Sequence, residues 1–324
     1  MWVGTGEMGV MFTMPTFMSD LTRVDPEGRE LGEAFAHWLD VVAALAIRYE
    51  EGALDSYEPR TFWRGQAQPW TLSPGVHRRI VAMSQRQLDN ESVVDTTDYL
   101  LAGARAVGLY PPTVSALGDL QLLAYLQHQG AATPLLDFST DFLTALAMAC
   151  FDARCDGQDG VLLCYRYWPC NVNYVPAFTH VEPAVAFSGS GGGSVALFHA
   201  PYLTARQRIQ RGVFMFSDVV TDNPNATVAI PISDHSEAIA TYYRQHRSMG
   251  PSMRREHPVE TGQCAAILLP KEHKIAIRGW LTSQHQLNDT YVYPEALALD
   301  VHRQYISENT ATSPLGSNFG QRLF

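Results

Sequence analysis

The chain has 324 residues, 46% hydrophobic and 17% charged: enough apolar material for a substantial core, and too few charges for wholesale disorder. Its 23 basic and 33 acidic residues give a formal charge of -10, which argues against a broad, non-specific nucleic-acid binder because such a surface repels phosphates on average. The odd cysteine count (Cys150, Cys155, Cys164, Cys170 and Cys264) and the lack of a Cys-x-x-Cys pair argue against a disulfide framework or a zinc site, and predict free thiols in a reducing cytoplasm.

The first residues, MWVGTGEMGVMFTMPTFMSD, lack a basic stretch followed by a continuous apolar one, so they read poorly as a signal peptide. No charge-free apolar run reaches the length of about 18 residues that a membrane span needs, and lipidation motifs are absent. Residues 1–28 read as an irregular arm. Leu31, Phe35, Trp38, Leu39, Val42 and Leu45 recur at helical spacing, which predicts an amphipathic helix over Glu30–Glu50. A short strand is expected at Arg60–Trp63, helices at Asp95–Val107 and Ser115–Gln129, and a short apolar strand or extended turn at Thr133–Phe138. Thr140–Phe151 is apolar nearly all round, the mark of a buried helix.

Gly160–Tyr167 reads as a strand. Trp168–Ser194 is the least regular stretch and ends in SGSGGGS, a flexible tip or, less simply, a phosphate-cradling loop without the lysine that a Walker motif requires. Strands are expected at Val195–Phe198, Val213–Phe216, Thr227–Ile230, Ala265–Leu269 and Thr290–Tyr293. Helices are expected at Ser233–Arg247, Lys271–Gln284 and Pro294–Tyr305. Strands and helices mix without βαβ alternation, which predicts an α+β fold. The boundaries are an N-terminal arm and helix over 1–54, one domain over 55–305 with an insertion around 168–194, and a C-terminal tail over 306–324.

Two stretches could carry chemistry. In Phe62-Trp63-Arg64-Gly65-Gln66, a strand that ends in Arg-Gly would place a guanidinium at the sheet rim, and the glycine would let an anion approach the backbone. Arginine's planar fork of donors suits phosphate better than a lysine's point charge. An arginine paired with a structural carboxylate is the plainer alternative. The second stretch runs from Gln127-His128-Gln129-Gly130 through Thr133-Pro134-Leu135-Leu136-Asp137 to Phe138-Ser139-Thr140. Gly130 is a natural helix C-cap, and Ser139, Thr140 or Asp141 can cap the next helix. That capping, a structural role for Asp137 and a core position for His128 are the plainer readings here. His77-Arg78-Arg79, Arg206-Gln207-Arg208 with Arg211, and Arg254-Arg255 read either as a local basic groove or as solvated turns.

Taken in order, FWRGQ, the W-x-L-x-P-G-V-x-R segment (Trp70 to Arg78) and QHQGAATPLLDFSTDFLTALAMACF resemble the FRG domain family, named for its aromatic-Arg-Gly motif. Arg206–Phe214 (RQRIQRGVF) is similar to a later family segment, and Tyr291–Leu299 (YVYPEALAL) to a terminal one. The resemblance spans roughly residues 55–305.

By analogy, the core resembles the arginine–serine–glutamate class of ADP-ribosyltransferases, which implies an ADP-ribosyltransferase-like mixed or antiparallel sheet core with flanking helices. It also implies a role as a bacterial toxin or phage-defence effector that transfers ADP-ribose from NAD or hydrolyses NAD. NAD is then a substrate, no metal is needed, the acceptor is a protein or nucleic acid, and an antitoxin is an additional partner. The resemblance assigns catalysis to Arg64, Ser139 and Glu295, with Gln210 as a hydrogen-bonding substitute, and NAD binding to Arg64, Gly65, Gln66, His128, Thr133, Asp137 and Thr140. Two other classes stay open: a non-catalytic nucleotide- or partner-binding module, and a metal-dependent nuclease. Asp141 and Asp152 are eleven residues apart, about three helical turns, too far for both to share one ion with Asp137.

Overall fold

The computed structural model describes residues 60–83, 87–108, 118–167, 173–175, 195–199, 205–222, 226–234 and 262–292. The helices expected at Glu30–Glu50 and Pro294–Tyr305, the SGSGGGS stretch and Glu295 lie outside them.

Strand β1 (Arg60–Gln66) is rich in aromatic and β-branched side chains, which fit a pleated, buried surface. It runs three residues past the expected end at Trp63, because Arg64, Gly65 and Gln66 continue the ladder opposite Leu163, Leu162 and Val161. Helix α1 (Gly75–Ala82) follows Pro74 and buries Val76 and Ile80, one turn apart. The sequence reading missed it, since glycine at its start and three basic or histidine side chains within it obscure a two-residue apolar stripe.

Helix α2 (Asn90–Ala106) begins five residues before the expected Asp95, because Asp89 accepts a 2.8 Å hydrogen bond from the Ser92 N–H and caps it there. Helix α3 (Asp119–His128) stops before Gly130, whose φ of 93° places it in the left-handed region that glycine tolerates. Strand β2 (Leu136–Ser139) and helix α4 (Phe142–Cys150) follow. A 3-10 turn at Ala153–Cys155 leads into β3 (Gly160–Tyr167).

Further on come β4 (Asn173–Val175), β5 (Ala196–Phe198), α5 (Ala205–Gln210), β6 (Gly212–Phe216), β7 (Ile232–Asp234), β8 (Cys264–Leu269), α6 (Lys274–His285) and α7 (Asp289–Val292). Three expectations fail. Thr227–Ile230 forms no named strand: Val228 bridges Val219, and Ala226, just before the stretch, bridges Leu72. Ser233 and Asp234 pair as strand β7 rather than opening a helix; the remainder of that expected helix is outside the described residues. Of the strand expected at Thr290–Tyr293, the described residues 290–292 belong to helix α7, in which the Val292 N–H bonds the Asn288 carbonyl in an i to i−4 turn. The alternation of Tyr291 and Val292, one exposed and one buried, suits either structure, so periodicity could not decide.

The chain divides into two compact units. Described residues of the first are 60–69, 139–167, 231–234 and 262–292. Its strands run β1-β3-β8-β7. The β1–β3 and β3–β8 pairs are antiparallel along their length, and β7 lies parallel to β8. The described residues of the second fall within 70–138, 173–175, 195–199 and 205–230. Here β5 pairs parallel with β4 and antiparallel with β6. Leu101, Leu122, Leu123 and Leu126 of its helices bury against Phe198, Phe214 and Phe216 of its strands, each contributing about 1.5–3 kcal/mol of transfer free energy. Helices and a largely antiparallel sheet together make the fold α+β.

Candidate functional site

In the first unit, alternation along β1 separates its marked residues by face. Trp63 meets Phe142 of α4 edge to face, with centroids 5.1 Å apart. Gly65 lies on the same side. A Cβ placed on it would fall 1.8 Å from the Ala145 carbonyl oxygen and 2.7 Å from the Ala149 nitrogen. The glycine of the aromatic-Arg-Gly motif therefore admits the α4 backbone, which corrects the expectation that it admits an anion. Ala145 and Ala149 are small for the same reason, and α4 can lie directly on the strand.

Arg64 is half-buried and projects from the opposite face with Phe62 and the buried Gln66. Cys264 stands across from Tyr165, and Tyr165 across from Phe62. The Arg64 charge pulls the Cys264 thiol down while burial pushes it up to about 12, which agrees with this placement. Arg64 is the fifth of seven strand residues, not at the rim.

Trp63 is also the partner of Ser139, the only ladder pair of β1 with β2, so Ser139 points to the α4 face. Its hydroxyl accepts a 2.9 Å hydrogen bond from the Asp141 N–H. Asp141 caps α4 by accepting from the Thr144 N–H at 3.0 Å. Thr140, half-exposed, forms the bend between them. Asp152 caps the 3-10 turn and pairs with Arg154. Among the described residues, no three His, Cys, Asp or Glu side chains are grouped to hold a metal.

In the second unit the QHQG-to-LLD stretch and the Arg206–Phe214 segment come together. Gln127 is the clamp: its Nε2 donates to Asp137 Oδ1 at 2.6 Å, and its Oε1 accepts from the Thr133 hydroxyl. Thr133 in turn accepts from the Leu135 N–H, so one amide side chain fixes the turn from α3 into β2. His128, 3% exposed, packs edge to face on Phe214 with centroids 5.7 Å apart. Its backbone carbonyl accepts from Arg206 at 3.4 Å.

Burial lowers the His128 ring to about 4; Asp137 pulls it up and Arg206 pushes it further down. The ring is neutral at pH 7, and neither nitrogen has a hydrogen-bond partner among the described residues. Gln210, 3% exposed, ends α5. Arg211 after it has φ 44° and turns the chain into β6. Arg64, Gly65, Gln66, Ser139 and Thr140 thus belong to the first unit, and His128, Thr133, Asp137 and Gln210 to the second.

One buried cation escaped the sequence reading. Lys274 is fully buried and donates to the Ala67 carbonyl at 2.5 Å and the Cys155 carbonyl at 2.9 Å. It ties the chain just past β1 to the turn after α4. Burial lowers its ammonium pKa below the usual lysine value. The signal was its spacing with Ile277 and Leu281, which puts it on the apolar face of α6.

These features define an α+β protein in which an aromatic-Arg-Gly strand is packed on the helix that follows an LLD turn. Residues 59–157 match the family model described as the FRG domain. The match ends before the Arg206–Phe214 and Tyr291–Leu299 segments. No curated protein and no solved structure matches the chain. No helix among the described residues is long and apolar enough to cross a membrane.

Proposed function

We propose that the chain binds NAD through an ADP-ribosyltransferase-like core, breaks the nicotinamide–ribose bond, and passes ADP-ribose to an acceptor macromolecule or to water. One observation carries this reading: Trp63 pairs with Ser139, so a half-buried arginine stands one residue along from the strand end that turns into α4. That is the order of parts (arginine strand, serine strand end, helix) that the resemblance implies. The ladder between β1 and β2 is one pair long.

In this reading the guanidinium of Arg64 holds the NAD phosphates through paired donors. The chemical step needs little from the protein beyond stabilising a developing oxocarbenium charge and orienting the leaving group. Glu295 supplies the carboxylate for that charge. NAD consumption inside a cell is harmful, which accounts for a toxin or phage-defence role held in check by an antitoxin.

The test is incubation with NAD labelled in its adenylate half and a cell extract, followed by fractionation into protein, nucleic acid and free ADP-ribose. Label in any of these supports the reading. Glu295→Gln should lower the rate by about a hundredfold while leaving NAD affinity nearly unchanged, because the charge acts mainly in the transition state. Recovery of intact NAD alone would overturn it.

The second reading is a binding module without chemistry. It is favoured by the structural use already made of two motif residues: Gly65 admits a helix, and the Ser139 hydroxyl accepts from the backbone of Asp141. NAD binding without turnover would select it.

A further inference from the structure

In the second unit, the chain that leaves β6 lies beside helix α1 and is held there by polar bonds. The Val220 N–H donates to the Thr227 carbonyl at 3.1 Å, and the Thr227 N–H to the Leu72 carbonyl at 3.0 Å. The Ala229 N–H donates to the Ser217 hydroxyl at 2.8 Å. Asn90, the first residue of α2, holds the near end. Its Nδ2 donates to Asp218 Oδ1 at 3.0 Å, and its Oδ1 accepts from the Val219 N–H at 2.8 Å. Apolar support is small. Val219 packs on Val76, Ile80 and Val93, a cluster separate from the larger Leu and Phe core of the unit. Ala226 and Val228 are also buried.

His77 fastens the far end. Its side chain is 1% exposed, and its Nδ1 is hydrogen-bonded to the Thr227 hydroxyl at 2.8 Å. That hydroxyl donates to the Ser73 hydroxyl at 2.9 Å. The start of α1 is in turn seated on the connection from α3 to β2. The Val76 N–H donates to the Thr133 carbonyl at 3.1 Å, and a Cβ on Gly75 would lie 3.0 Å from the Ala132 Cα. One imidazole therefore joins the chain after β6 to the helix that supports the turn clamped by Gln127.

We propose that residues 217–222 and 226–230 form an acid-released strap, fastened to α1 by the neutral His77 ring and set free when that ring is protonated, while the β5–β6 ladder stays folded. Opening the strap gives the ring water, so protonation favours the open form. The charged side chains on the elements around His77 are Arg78 and Arg79 on α1, Asp89, Glu91 and Asp95 at the start of α2, and Asp218 and Asp222 on the strap. Of these, Arg78 acts on the ring, and its charge adds to burial in disfavouring the imidazolium. The ring titrates at about 4 while buried, against 6.5 when free. That difference raises the ratio of open to closed strap about thirtyfold between pH 7.5 and pH 5. His128, the other buried ring, packs on Phe214 and so titrates with the larger core rather than with the strap.

The test is amide hydrogen exchange followed by NMR on the full chain and on His77→Asn, at pH 7.5 and pH 5. Asparagine keeps a group able to bond Thr227 and cannot be protonated. His77→Gln takes its place if that variant does not fold, and the wild-type measurement decides the first outcome alone. Local opening predicts that the Val220, Thr227 and Ala229 amides are at least tenfold less protected than those of the β5–β6 ladder. Their protection factors should fall at least tenfold from pH 7.5 to pH 5 in the wild type, and by less than threefold in the variant. A merely structural histidine would lower protection in the variant at both pH values and leave its pH dependence in place. That result would overturn the proposal. So would strap and ladder amides sharing one protection factor, or strap protection that does not change with pH in the wild type.

Discussion

Gly65 is the residue at which the motif and the physics meet. Its missing side chain is required by the α4 backbone, and Gly65→Ala would force β1 and α4 apart. Overpacking against side chains costs about 1–3 kcal/mol; backbone at 1.8 Å cannot rotate away, so a loss of at least about 3 kcal/mol is expected in a urea titration. A change within about 0.5 kcal/mol, the size of a neutral surface substitution, would contradict this packing. The sequence showed that Gly65 was special but not why, because a glycine that admits an anion and one that admits a helix look alike. Arg64 was legible as a marked residue but was misplaced at a rim. Its face follows from where the strand ends, and that was read three residues short.

Among the elements, α4 depends most on its cap. Asp141→Ala removes the acceptor for the Thr144 N–H and should cost about 1 kcal/mol of stability, measured by thermal or urea unfolding. Asp141→Asn keeps much of the cap and removes the charge that raises the His285 pKa, so the His285 titration followed by NMR should move down. No movement would separate the two groups. The connection from α3 to β2 depends on Gln127. Gln127→Ala leaves Asp137 and Thr133 without the amide that joins them, a loss of about 1–3 kcal/mol for partly buried groups. Helices with strong periodicity or caps, α3 and α4, were legible from sequence. Helix α1 and the β7 residues were not, because an eight-residue helix with two apolar contacts and a three-residue strand carry too little pattern.

At the scale of the molecule, two buried histidines set an acid limit. His77 and His128 both titrate at about 4 in the folded chain against 6.5 when unfolded, chiefly because burial disfavours the charged ring. Between those values the unfolded chain takes up protons that the folded one does not. Their contribution to stability is therefore complete above pH 6.5 and falls as pH drops from 6.5 to 4, by up to about 3 kcal/mol per ring. Urea midpoints across this range should fall steeply for the wild type and less steeply for His128→Gln. An unchanged slope in the variant would show that its ring is not buried neutral.

The α+β class was legible because strands and helices mix without βαβ order. The division into two compact units was not, because each unit is assembled from separated stretches and no linker marks a boundary. The central claim is that Arg64 serves the cleavage of NAD, and nicotinamide release by wild type and Arg64→Lys tests it most directly. The account predicts release by the wild type and a loss of about a hundredfold or more in the variant, because lysine keeps the charge but not the paired donors. No release by the wild type, or equal release by both, would contradict it.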